Sequence, residues 1–158
     1  MSKSQQRRKI ILGKDVEIVA QVISATTRFS QPWQGRSSFL SRAHFLLAQA
    51  IEQRAGGHYA QAFESAYQAA LRVAGSRISQ SAPKKRRAGT QDAWHKLALI
   101  DSQGEYWAQV FRSYRSQRQR LLAGAPDLRD SKVVDRLIEQ VEQFLEEVEN
   151  GGIYSSAA

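Results

Sequence analysis

The chain has 158 residues with 23 Lys and Arg against 15 Asp and Glu, a formal charge of +8, 42% hydrophobic residues and no cysteine. That size suits one compact domain, and the absence of cysteine excludes disulfides, Cys-ligated zinc, iron–sulfur clusters and a thiol nucleophile. A reducing, cytoplasmic setting is the expectation, because the most apolar N-terminal stretch, Ile10 to Ile23, is interrupted by Lys14, Asp15 and Glu17 and suits neither a signal peptide nor a membrane span.

The sequence predicts an arm over residues 1–37, partly flexible. Within it Asp15 to Ser24 reads as a helix or a short strand, and Ser30 to Gly35 as a turn, with Trp33 beside Pro32 outside any apolar period. From residue 38 to 55, Phe39, Leu40, Ala43, Leu46, Leu47, Ala50 and Ile51 recur at three- and four-residue spacing, which is a helix with one buried face. Gly56-Gly57 ends it. A second helix is expected from about His58 to Ile78, with Tyr59, Phe63, Ala66, Tyr67, Ala70, Val73 and Ala74 inward, and the short connection makes the two an antiparallel hairpin. Residues 79–89, with Pro83, Gly89 and the run Lys84-Lys85-Arg86-Arg87, read as a loop.

Thr90 is the expected N-cap of a short helix carrying Ala93, Trp94, Leu97, Ala98 and Ile100, with Asp92 in its first turn. That helix should stop or bend between Asp101 and Gly104. The period resumes from Glu105 to Leu122 through Tyr106, Trp107, Val110, Phe111, Tyr114 and Leu121, and Gly124 to Pro126 closes it. A last helix, about Ser131 to Glu149, carries Val134, Leu137, Val141, Phe144, Leu145 and Val148 on one stripe, stops at Asn150-Gly151-Gly152, and leaves a disordered tail at 151–158. The fold class is therefore all-α: an up-and-down bundle of four to five helices spanning 38–150.

The charge is segregated. Residues 130–150 hold seven acids and two bases, while Lys3, Arg7, Arg8, Lys9 and Lys14, then Lys84 to Arg87, then Arg112, Arg115, Arg118 and Arg120 form three basic clusters. Arg112, Arg115 and Arg118, three apart, share a broad helix face able to track phosphates, with Lys84, Lys85, Arg86 and Arg87 reaching the same partner. The competing reading is a solvated face answered by the acids of the last helix. Trp94, Tyr106, Trp107, Phe111 and Tyr114 fall at helical spacing, and belong to the core before any base-stacking platform.

Phe39-Leu-Ser-Arg-Ala-His44, the stretch Tyr59 to Arg72, the basic Pro-containing linker, Asp92-Ala-Trp94 and Phe144-Leu-Glu-Glu-Val-Glu149 together resemble actinobacterial HEPN-type proteins over about residues 38–150. The resemblance implies a helical bundle, pairing into homodimers, and in many members a metal-independent RNase whose Arg and the following His have four to six residues between them. This chain departs from that motif. Arg54 precedes His58 with three residues between, Arg42 lies two before His44, and Arg87 has seven residues between it and His95.

Metal-free RNA cleavage needs a base for the 2′-OH and a cation for the phosphorane. The pair Arg54 and His58 has the chemistry but sits across two glycines, and reads as a helix end with a neighbouring His. No two histidines lie within a helical turn, so no metal and no cofactor is expected. The sequence points to a non-catalytic HEPN-like bundle that binds RNA or another polyanion as a homodimer, with no membrane contact. An endoribonuclease using His58 or His95, and a protein-interaction module in stress response or DNA repair, are the alternatives.

Overall fold

The computed structural model describes residues 32–82, 86, 92–125 and 130–155. The chain divides into Met1–Gln34 and Gly35–Ala158, and of the first unit only the opening turn of a helix is described. The expectations for residues 1–31, for Thr90, for Pro126 and for 156–158 lie outside the described residues.

Six helices make up the described residues, with no strand among them: α1 (Pro32–Ala55), α2 (Tyr59–Gln80), α3 (Ala93–Ala98), α4 (Ser102–Arg112), α5 (Arg115–Leu122) and α6 (Ser131–Ser155). The all-α bundle is as the apolar periods require. Each period marks a stripe that water cannot cover favourably, so the helices close over it.

α2 is the central element. Ala62, Ala66, Ala69, Ala70, Ala74 and Val73 are fully buried on it, together with Phe63 and Ser76. Small side chains on several faces let neighbouring helices approach closely. Gly75 shows how closely: a Cβ there would lie 2.8 Å from Cε1 of Phe39 on α1. The buried Ser76 hydroxyl donates to its own helix, to the Val73 carbonyl at 2.7 Å, so its burial leaves no polar group unsatisfied.

α1 and α2 form the expected antiparallel hairpin. Its turn is a Schellman motif in which Gly57 takes φ +79°, its N–H donates to the Arg54 carbonyl at 3.1 Å, and the His58 N–H donates to Gln53 at 2.8 Å. The same device ends α5, where Gly124 (φ +84°) donates to Leu121 and Ala125 to Arg120.

The pairings Phe63 with Tyr114 and Arg77 with Asp101 set α4 and α5 antiparallel to α2. Trp107 with Phe144 and Tyr114 with Gln140 set α6 antiparallel to α4. The core is tied by a run of rings: Tyr67 edge-on to Trp94 at 5.8 Å, Trp94 on Phe111 at 5.1 Å, Phe111 on Trp107 at 5.7 Å, and Trp107 on Phe144 at 5.0 Å. These contacts join α2, α3, α4 and α6 in one aromatic spine.

Several boundaries differ from the sequence reading, each for a local reason. α1 starts at Pro32 and not near residue 38, since proline suits a helix's first turn; the turn expected over Ser30 to Gly35 is helical from Pro32. α2 runs two residues beyond Ile78, ending when the Ser81 N–H and hydroxyl both return to the Ile78 carbonyl. Asp92, expected in the first turn, is itself the N-cap of α3, accepting from the His95 N–H at 2.9 Å. Asp101 caps α4 in the same way through the Gly104 N–H at 2.7 Å, so that helix opens at Ser102, three residues early.

The single helix expected from Glu105 to Leu122 is two. It breaks at Ser113 and Tyr114, where the Ser113 hydroxyl back-bonds to the Val110 carbonyl at 2.6 Å. α6 continues past Asn150-Gly151-Gly152 to Ser155. Gly151 shows no positive φ there, so the glycines that permit a stop do not impose one. Tyr106, assigned to the core, is 58% exposed, as is much of Ile51; each sits one step off the buried arc of its helix.

Candidate polyanion-binding face

Arg112 closes α4, and Arg115 and Arg118 occupy the first and second turns of α5. The break at Tyr114 sets these three against the start of α3. Arg115 and Arg118 line one cleft of about 370 Å³ with Tyr67, Leu71, Asp92 and Trp94. The charge of Arg112 also acts on the Asp92 carboxylate. The structure thus gathers the three arginines, but the face is not open as the sequence suggested.

The guanidinium of Arg118 grips Glu64 as a two-pronged fork, Nε to Oε2 at 2.9 Å and Nη2 to Oε1 at 2.8 Å, and lies over the Tyr67 ring, 4.6 Å from its centroid. Gln68, one turn along α2, donates to the same carboxylate at 2.9 Å. Nη2 of Arg115 donates to Oδ2 of Asp92. The acids answering these arginines are Glu64 and Asp92, and not those of the last helix, which corrects that alternative. The acids of α6 are engaged elsewhere: Asp135 with Arg54, Glu147 with Trp107 and Gln103, and Glu149 with His44.

The electrostatics follow from these contacts. Burial would lift the Glu64 carboxyl, but hydrogen bonds from Arg118 and Gln68 and the Arg118 charge outweigh it and hold the pKa below the usual range. Burial acts the same way on Asp92, and the His95 N–H, Arg115 and the charge of Arg112 reverse it. Both groups are carboxylates at neutral pH.

Neither glutamate nor aspartate was singled out as part of this site from the sequence. Asp92 reads from the sequence as a helix-start acid and Glu64 carries no mark of its own, since their pairing with Arg115 and Arg118 spans 23 and 54 residues and leaves no local signature.

Of the linker residues, Lys84, Lys85 and Arg87 lie outside the described residues. Arg86 is exposed and its Nη1 donates to the Ser79 carbonyl at 3.3 Å. The described residues carry 13 Lys and Arg against 12 Asp and Glu, so the remaining stretches, with ten bases and three acids, hold nearly the whole excess of +8.

The histidines are apart from one another. His58 is exposed beside the hairpin turn, and Arg54, the cation nearest in sequence, is held by Asp135 through Nε at 2.6 Å and Nη2 at 3.1 Å. His44 pairs with Glu149 at the far part of α1. His95 lies on α3, where its backbone N–H is taken by the Asp92 cap. Among the described residues no three His, Cys, Asp or Glu side chains form a metal-holding group, and no helix is long and apolar enough to cross a membrane.

Comparison with curated proteins and with solved structures gives no match. Residues 53–149, from the end of α1 to the last turns of α6, match the family model of the SAV_6107-like HEPN domain. The match covers the hairpin turn, the basic linker, the arginine cluster and the acidic helix, and with the all-α architecture it places the chain in the SAV_6107-like HEPN family.

Proposed function

We propose that the chain is a non-catalytic HEPN-type module that binds RNA or another polyanion through Lys84, Lys85, Arg86 and Arg87 together with Arg112 and Arg115, the third arginine of the cluster, Arg118, being committed to Glu64. The observation that carries this reading is the partition of charge. The helical body is close to neutral, and the excess sits on residues 1–31 and on the linker run Lys84 to Arg87, which leads into Asp92 at the arginine cleft. Four residues separate Arg87 from Asp92, five steps of chain with a reach of at most about 17 Å, so the basic run and the cleft serve one ligand. At the cleft itself Arg115 and Arg118 meet Asp92 and Glu64, and the charge of Arg112 acts on Asp92 besides, which leaves a positive remainder.

Catalysis is not part of the proposal. A metal-free RNase needs a cation free to meet phosphorane charge beside its base, whereas Arg54 forks both oxygens of Asp135 through Nε and Nη2. The module works as a homodimer in the cytoplasm, and Phe45 and Ile51, exposed on α1, supply apolar surface for a partner protomer.

Titration of the protein with labelled single-stranded RNA at two salt concentrations tests the proposal. Affinity should fall with salt with a slope of about 0.7 per phosphate neutralised, and replacing Lys84, Lys85, Arg86 and Arg87 together by Gln should weaken binding by about ten-fold or more. Absence of binding at low salt overturns it. Cleavage of the RNA in chelator that disappears on His58→Ala or His95→Ala would put the endoribonuclease in its place.

A further inference from the structure

The two ion pairs in the arginine cleft are built differently. Glu64 meets Arg118 with both oxygens, is steadied by Gln68, and the pair is largely covered, the side chains being 26% and 34% exposed for Arg118 and Glu64. The guanidinium also rests on Tyr67. Three contacts hold Arg118, and moving it would strip the ring and leave a half-buried carboxylate without its counter-charge.

Arg115 meets only one oxygen of Asp92, with a lesser hydrogen bond to the Tyr67 hydroxyl beside it, and here the side chains of the pair are 42% and 49% exposed. Exposed pairs of this kind are weak and easily exchanged. Asp92 has a second task that does not need its charge: its other oxygen caps α3 through the His95 N–H. Arg112 adds positive potential at the same point. The carboxylate therefore sits where a phosphodiester oxygen would sit, on a guanidinium with donors to spare, because carboxylates and phosphates offer arginine the same planar two-oxygen target.

We infer that Arg115 is the phosphate seat of the cleft and that Asp92 is its intramolecular occupant, displaced by an incoming phosphodiester, while Arg118 stays the structural tie of α5 to Glu64 on α2. The inference rests on the polyanion reading above and adds to it an internal competitor that sets affinity. Asp92→Asn keeps an oxygen for the cap and removes the charge that competes.

The experiment is a titration of the full chain with fluorescein-labelled oligouridylate at low salt. Asp92→Asn should tighten binding about two- to five-fold, the scale of one exposed ion pair, and steepen the salt slope by about 0.7 for one added contact. Glu139→Gln, which makes the same change of net charge at an exposed position on α6, should move affinity by less than about half that factor. In the background of Arg115→Gln the gain from Asp92→Asn should vanish. Glu64→Gln should give no gain and a lower Tm.

A gain equal to that of Glu139→Gln, or one that survives Arg115→Gln, overturns the inference. Wild-type binding with no change in Asp92→Asn overturns the inference alone, and failure of wild type and variant alike to bind overturns the polyanion reading with it. If Asp92→Asn melts early, Asp92→Ser, also a good N-cap, takes its place.

Discussion

The indole Nε1 of Trp94 donates to the hydroxyl of Tyr67 at 2.8 Å inside the core, with both side chains almost fully buried. This bond fastens the six-residue α3 to α2, and it satisfies the one polar atom of a tryptophan that would otherwise be costly to bury. Tyr67→Phe keeps the ring and removes the acceptor. The expected loss is about 1–3 kcal/mol, read as a fall of several degrees in Tm by circular dichroism. A variant as stable as wild type would show that the indole N–H finds another partner.

Stability should depend on pH with a definite sign. The carboxyls of Glu64, Asp92 and Asp135 are all held below their ordinary range: burial opposes the shift at Glu64 and Asp92 and is outweighed, and at Asp135 the hydrogen bond from Arg54 leads. A depressed folded-state pKa means that the unfolded chain binds more protons in the window between the two values, so stability rises with pH there. The contribution is present above the usual carboxylate range near pH 4 and is lost as the pH falls below it. Melting curves should show Tm steady from about pH 6 to 5 and dropping from about pH 4 downward. The drop should be smaller in Glu64→Gln, which begins from a lower plateau.

Gly104 is set against the end of α3. A Cβ there would lie 2.2 Å from the Leu97 carbonyl oxygen, a backbone atom that cannot rotate away, so Gly104→Ala should push α3 and α4 apart at a cost of about 1–3 kcal/mol or more. Gly35 and Gly151 are helical glycines with open space around them. Alanine at either should leave stability unchanged or raise it by up to about 1 kcal/mol. Parallel melts of the three variants check both directions, and equal effects would contradict the geometry.

Asp101 serves two neighbours at once, accepting from the Gly104 N–H at 2.7 Å as the cap of α4 and from both Nη atoms of Arg77 at 3.0 and 2.6 Å. Asp101→Ala removes both and should cost about 1–3 kcal/mol, of which the cap accounts for roughly 1. Asp101→Asn retains the capping oxygen and should recover about half. Urea unfolding of the pair measures the split.

What could be read from the chain alone follows from the range of the signals. The stripes of α2 and α6 were legible because Phe63, Tyr67, Val73 and Val134, Leu137, Val141 repeat within a few residues, and all are buried as the period requires. The hairpin was legible from Gly56-Gly57. The break between α4 and α5 was not, because Val110, Phe111 and Tyr114 keep the apolar period going across it while the cause, a serine back-bond at Ser113, carries no hydrophobic mark. At the candidate site, Arg112, Arg115 and Arg118 were visible as a cluster. Their carboxylate partners were not, since Glu64 and Asp92 reach them only through tertiary contact, and sequence position says nothing of which opposite charges will meet.

The near-neutral helical body beside strongly basic short stretches has a consequence for how such a chain can change over generations. On the proposed reading, exchanging bases of the linker run changes the attraction to an anionic ligand, whereas changes at Trp107, Phe111 and Phe144, the part of the aromatic spine that does not line the arginine cleft, change durability. Grip and robustness can therefore drift independently, each tuned by its own set of codons.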